Sequence, residues 1–172
     1  MEQESVFILV FVTVCIAILA FVSQTSPTIE NDKTQLFPPA INYAVDTSNT
    51  LTEEQLINLN QTLKTIDDSK NTQIGVALVD TIGSYSIEEY AIELARQWKV
   101  GDNATDNGVL LVIAKTERQV RIEIGDGVEG SINDAKAGVI LDTVVVPELK
   151  KGDWYLAIEK GIEAINNNNT NK

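Results

Sequence analysis

Val109-Leu-Leu-Val-Ile-Ala114 is an unbroken apolar run, and Val120-Arg-Ile-Glu-Ile124 soon after it alternates apolar with polar. No other feature restricts the fold as much. A short run with no polar position is typical of a strand covered on both faces, and strict alternation belongs to a strand with one wetter face. The polar stretch between them, Lys115 to Arg118, is short enough for a hairpin turn. A central strand buried on both sides needs helices above and below it.

The flanking sequence supplies those helices. Thr52 with Gln55 and Ser86 with Glu89 are capping boxes, each followed by an apolar stripe at helical spacing: Leu56, Leu59, Leu63 and Ile66 after the first, and Ile87, Tyr90, Ala91, Leu94, Ala95 and Trp98 after the second. Gln73 to Val79 reads as an interior strand, and Ile41 to Val45 as a short one. Asp134 to Val146 reads as a helix stopped by Pro147, and Asp153 caps a last helix with Trp154, Ala157, Ile158, Gly161, Ile162 and Ile165 inward. The order is β-α-β-α-β-β-α-α. The expected class is α/β, a small mixed β-sheet with helices on both faces, preceded by an N-terminal hydrophobic helix. The expected boundaries are 1–23 for a membrane anchor or signal, 24–36 for a linker, 37–166 for the domain and 167–172 for a disordered tail.

The N-terminal helix is expected from Val6 to Val22, which carry no charge. As a helix this stretch spans ~25 Å, a little less than the ~30 Å hydrocarbon core. The head Met1-Glu-Gln-Glu-Ser5 lacks a basic residue, and no small-x-small cleavage site follows, since Ile18 precedes Ala20 and Phe21 precedes Ser23. An uncleaved anchor through residues 6–22 fits better than a cleaved signal. Either way the soluble part is expected outside the cytoplasm, periplasmic or extracellular.

Two absences restrict the chemistry. The one cysteine, Cys15, lies inside the apolar stretch, so the domain has neither a disulfide nor thiol chemistry. The chain has no histidine, which removes Ser-His and Cys-His nucleophile systems and His-ligated zinc. The net charge of −12 repels nucleic acid and anionic lipid, and suits cations or solubility. Asn60-Gln-Thr62 and Asn103-Ala-Thr105 are glycosylation sequons by letter.

Gly125-x-Gly127-x-x-Gly130, straight after the alternating strand, has the letters of a dinucleotide-binding loop. That fingerprint requires a following helix and then a second parallel strand ending in an acid. Here a helix follows a helix, and Asp126 and Glu129 inside the loop would repel a pyrophosphate. The glycines read instead as turn residues that allow positive φ at Gly125 and Gly127. Asp102 to Gly108 is not an EF-hand loop, since its glycine and its twelfth residue, Ile113, are misplaced.

The hairpin turn carries a geometric consequence. With Lys115 and Arg118 flanking it, Asn107 lies opposite Asp126 and Asp106 opposite Gly127. The loops before and after the hairpin then meet at one end of the sheet. Asp102, Asp106, Asp126, Glu129 and Asp134 would converge there, or else splay into solvent for solubility alone. Crowded carboxylates invite a cation, and hard oxygen ligands suit Ca²⁺ or Mg²⁺.

Residues "IGSYSIEEYAIELARQWKVG", "DNGVLLVIAKTERQVRIEIGDGVEG", "NDAKAGVILDTVVVPELKKGDWYLAI" and the earlier "VDTSNTLTEEQ" together resemble the TPM-domain family, which includes a thylakoid-lumen acid-phosphatase-like protein, photosystem II repair proteins and bacterial membrane-anchored proteins. The resemblance covers about Phe37 to Ile165. It implies an α/β sandwich outside the cytoplasm with an acidic cleft that binds divalent cations in some members. Asp46, Asp106, Glu129 and Asp134 match recurrent family acids. Asp126 stands where an aromatic is common, and Ser48-Asn49 where Ala-Gly is common. A parallel sheet would place Asp46 at the edge opposite Asp106, a conflict with a shared site. The expected metal set is Asp106, Asn107, Asp126, Glu129, Asp134 and Asp46, with catalytic residues unknown. The implied role is a membrane-tethered, cation-binding domain that serves a membrane-protein partner. A metal-dependent acid phosphatase and a scaffold without a metal site are the alternatives.

Overall fold

The computed structural model of the chain describes residues 36–69, 72–101 and 104–170. The apolar stretch 6–22, Cys15, most of the linker, Asp102, Asn103 and the last two residues lie outside them. Among the described residues, no helix is long and apolar enough to cross a membrane.

The elements run β1 (Ala44–Asp46), α1 (Glu53–Asp68), β2 (Gln73–Val79), α2 (Ile87–Trp98), β3 (Gly108–Ala114), β4 (Gln119–Ile124), a 3₁₀ turn (Asp126–Val128), α3 (Asp134–Ile140), a π-helical turn (Leu141–Val145), α4 (Val146–Lys151) and α5 (Trp154–Thr170). The sheet order is β1-β2-β3-β4. The first three strands are parallel and β4 is antiparallel, so the sheet is mixed, as expected.

Both faces of the sheet are covered, and β3 shows why its sequence has no polar position. Val109, Leu111 and Ile113 join one apolar cluster with Leu59 and Leu63 of α1 and Ile158, Ile162 and Ile165 of α5. Leu110, Val112 and Ala114 join a second with Phe37 and with Tyr90, Ala91 and Leu94 of α2. Every β3 side chain is buried, and each large one contributes ~1.5–3 kcal/mol by leaving water. At the first described residue, the Leu36 carbonyl accepts a hydrogen bond from the Tyr90 hydroxyl at 2.8 Å. The ring of Phe37 stacks on Tyr90 with centroids 4.8 Å apart.

Local signals act as the sequence suggests. Thr52 and Ser86 both form reciprocal capping boxes with Gln55 and Glu89. Asp153 accepts from the Leu156 N–H at 3.1 Å at the start of α5. The Tyr43 hydroxyl donates to Asp67 Oδ2 at 2.7 Å, a bond that, with some burial, pushes the phenol up to about 12. Asn60, read as a sequon, has its amide committed inside the fold: Oδ1 accepts from the Ala44 N–H at 2.8 Å and Nδ2 donates to the Ala44 carbonyl at 3.2 Å.

Pro147 does not stop its helix. The chain passes from α3 through the π-helical turn into α4, with Pro147 in the first turn of α4. A proline ring clashes with the carbonyl four residues back. The wider turn, in which the Val146 N–H reaches back to the Leu141 carbonyl, removes that conflict. Fully buried Val145 anchors the turn to the core. The last helix also runs into the asparagine-rich segment that composition marks as a tail, ending at Thr170.

Candidate functional site at the open end of the hairpin

The β3–β4 register pairs Val109 with Ile124 and Ala114 with Gln119, the pairing that the turn length predicts. The ladder does not end with the strands. The Gly125 N–H donates to the Gly108 carbonyl at 2.8 Å and the Gly127 N–H to the Asp106 carbonyl at 3.0 Å. The Asp126 N–H also donates to the Asp106 carboxylate at 3.1 Å. Asp106 itself takes a left-handed conformation, φ 46°, which aspartate tolerates better than most residues.

The glycines serve this junction differently from the expectation of positive φ. Gly125 has φ −75°, and neither it nor Gly127 is left-handed. A Cβ on Gly125 would stand 2.3 Å from the Asp106 carbonyl oxygen, and one on Gly127 would stand 1.7 Å from that of Thr105. What the sequence needs there is close approach of two backbones. Gly130 has open space around it.

The six expected residues divide into groups. Asp106 and Asp126 share the exposed rim of the hairpin. Glu129 ends the 3₁₀ turn that begins at Asp126. Residues three apart in such a turn eclipse, so both side chains leave the same side of the backbone. Asn107 is half-buried, and its carbonyl accepts from the Gln73 N–H at 3.2 Å, tying the rim to β2. Asp134 opens α3, is 85% exposed, and stands 3.9 Å from Arg121, which itself pairs with Glu123 at 3.1 Å.

Asp46 lies at the other end of the sheet, as parallel β1 and β3 require. Its carboxylate accepts from the Ser48 N–H and hydroxyl and from the Thr50 and Leu51 N–H groups, all within 2.8 Å. That is an organiser of the β1–α1 loop. Among the described residues, no group of three or more acids is gathered closely enough to hold an ion. The donor chemistry therefore fits a divalent cation only in part: two rim carboxylates and backbone carbonyl oxygens, with Glu129 at the far end of the 3₁₀ turn.

Sequence reasoning missed the neighbours of this rim. A groove of about 420 Å³ runs beside it, and Arg96 and Lys99 from the end of α2 line that groove together with Asp106, Glu123 and Asp126. The left-handed Lys99 at the α2 terminus, φ 52°, turns the chain there. No local pattern signals this meeting of α2 with the hairpin, which depends on α2 packing across the sheet.

Comparison with known proteins follows the same outline. A family model described as TPM domain matches residues 44–168. The N-terminal domain of a P. gingivalis protein, solved by solution NMR, is 29% identical with a TM-score of 0.68, over 74% of this chain and 81% of that one. The N-terminal domain of a Corynebacterium glutamicum protein is 15% identical with a TM-score of 0.60, over 76% and 82%. A protein from the psychrophilic bacterium Bizionia argentinensis is 18% identical with a TM-score of 0.59, over 72% and 83%. The last two show likeness of fold alone. No curated protein matches the chain.

Proposed function

Because the chain belongs to the TPM-domain family, we propose that it is a membrane-tethered, extracytoplasmic domain that takes up a divalent cation, Ca²⁺ or Mg²⁺, at the Asp106–Asp126 rim and serves a membrane-protein partner. The observation that carries this reading is the extension of the β-ladder past the strands, which fixes Asp106 against Asp126. Two carboxylates brought to one rim would repel one another if they converge, and a bound cation would relieve that cost. Glu129 and backbone carbonyls are the remaining oxygen donors for such an ion. A rim of this kind, not a closed cage, suits binding in the ~10⁻⁴–10⁻³ M range of extracellular calcium modules. The apolar stretch from Val6 to Val22 supports the tether.

The test is thermal unfolding of the chain with increasing Ca²⁺ or Mg²⁺. Metal at ~100 Kd should add roughly 2.7 kcal/mol of stability, and Asp106→Asn with Asp126→Asn should remove that gain. No shift of the melting temperature at ~10–100 mM metal, about 100 times that Kd, would refute the site.

One observation favours a second reading, a metal-dependent acid phosphatase: Arg96 and Lys99 line the groove that the rim acids share. Cationic groups beside a metal site suit a phosphoryl group in transfer. Hydrolysis of a generic phosphomonoester at acid pH, lost on chelation and in both Asp106→Ala and Glu129→Ala, is the expected result. Turnover that survives both substitutions would end that reading.

A further inference from the structure

The chain is strongly acidic, with a net charge of −12, yet its charge is not evenly spread. At the end of the sheet opposite the acid rim lies a groove of about 720 Å³. Its cationic lining comes from the hairpin turn, Lys115 and Arg118, and from the end of α4, Lys150 and Lys151. Its floor is apolar and includes Leu149 and Trp154. No acid lines it. Three acids adjoin the lining in sequence, of which Glu148 is held by Lys151 and Lys160 and the other two are engaged elsewhere. Glu117 accepts from the Thr81 hydroxyl and the Ile82 N–H, and Asp153 accepts from the Leu156 N–H. Lys115 donates to the Thr50 hydroxyl and Lys151 pairs with Glu148. Arg118, at the tip of the turn with φ 55°, and Lys150 are exposed, with no side-chain partner among the described residues.

We propose that this groove docks the domain onto anionic phospholipid headgroups. The combination fits that occupant. Lys and Arg side chains would meet the phosphates, and a tryptophan among aliphatic residues suits the boundary between headgroup and acyl chain. The position of the first described residue points the same way. A Cβ at Gly83, just past β2, would stand 3.3 Å from Leu36, and Glu117 of the hairpin turn is bonded to Thr81 and Ile82 in the same loop. Leu36, the first described residue, therefore lies at the end of the sheet where the cationic groove opens, and the apolar stretch from Val6 to Val22 precedes it in the sequence. Docking would hold the cationic groove against the membrane and turn the acid rim away from it. This orientation rests on the proposed tether, whereas the lipid chemistry of the groove does not.

The experiment uses the full chain carrying Trp98→Phe, which leaves Trp154 as the single tryptophan. The protein is placed in nanodiscs of phosphatidylcholine, with or without phosphatidylglycerol, and Trp154 emission and its quenching by brominated acyl chains are recorded. Emission should shift to the blue, and quenching appear, only with phosphatidylglycerol. Both should fade at ~1 M salt, where screening acts within ~3 Å. Each basic residue at an anionic surface is worth roughly a five-fold gain, so Arg118→Glu with Lys150→Glu should weaken docking at least ~25-fold while leaving the circular dichroism spectrum unchanged. Identical emission in neutral and anionic discs would overturn the proposal. So would the full shift with inorganic phosphate alone, which would mark a small-anion pocket. A chain that fails to enter neutral discs would refute the tether. Added vesicles would then read the groove by itself, with the same dependence on anionic lipid expected.

Discussion

Asn60 holds both backbone groups of Ala44, accepting its N–H at 2.8 Å and donating to its carbonyl at 3.2 Å. One side chain of α1 thus closes the outer edge of β1, where no further strand pairs among the described residues. Ala44 is 2% exposed, so these groups have little access to water once that amide is removed. Asn60→Ala should cost about 2–3 kcal/mol in chemical unfolding, since a buried unpaired polar group costs ~1–3 kcal/mol. Asn60→Asp keeps the acceptor and loses the donor, and should fall between the two. Equal stability of all three proteins would show that β1 does not depend on this bond.

The glycines of the hairpin end should respond unequally to alanine. At Gly127 the added carbon meets the Thr105 carbonyl, and at Gly130 it meets nothing within 4 Å. Gly127→Ala should destabilise by more than about 2 kcal/mol and displace the amide resonances of the rim. Gly130→Ala should leave both nearly unchanged. The reverse ranking, measured by thermal melting, would mean that backbone approach is not what selects glycine here.

How much of this was legible in the sequence follows from how local each cause is. The capping boxes at Thr52 and Ser86 involve neighbours along the chain, so their letters suffice. The β3–β4 register is set by the length of one turn, which is why the meeting of Asp106 with Asp126 could be worked out beforehand. Pro147 misleads for the same reason. Read locally it ends a helix, but the burial of Val145 holds the helix in place, and a π-helical turn absorbs the ring. The two grooves were not legible. Arg96 and Asp126 come to line one groove, and Arg118 and Lys150 another, only once α2 and α4 have packed on opposite faces of the sheet. A net charge of −12 conceals the second groove, because summing over a chain discards where the charges lie.

The strap that begins the domain should matter more than its position near a terminus suggests. Phe37 is 7% exposed and lies between Tyr85 and Tyr90, and the Trp98 indole donates to the Pro38 carbonyl at 2.7 Å. Burial of the ring, helped by the negative charge of Glu117, raises the Tyr90 phenol well above its ordinary range. Phe37→Ala should therefore cost roughly 3 kcal/mol, as a large core truncation does. Tyr90→Phe removes a single bond to the Leu36 carbonyl and should cost about 1 kcal/mol. A Phe37→Ala protein as stable as the wild type in urea would show that the fold does not rely on this segment.

Glu148 supplies a pH dependence whose sign follows from its partners. It is 7% exposed, and its carboxylate accepts from Lys151 at 2.8 Å and from Lys160 at 2.7 Å, joining α4 to α5. The Lys151 hydrogen bond first, and then that of Lys160, hold its pKa below the ordinary glutamate value against the opposing effect of burial. A carboxyl depressed in the folded state stabilises it fully above the unfolded value, near ~4.3, and loses that contribution as pH falls through the folded one. Glu148→Gln keeps the shape and removes the charge. The variant should melt below the wild type at about pH 7, and the gap should close as the pH falls past the depressed pKa. A gap of constant size across that range would mean that the substitution acts through packing, and that the two lysines contribute no charge-dependent stability at this joint.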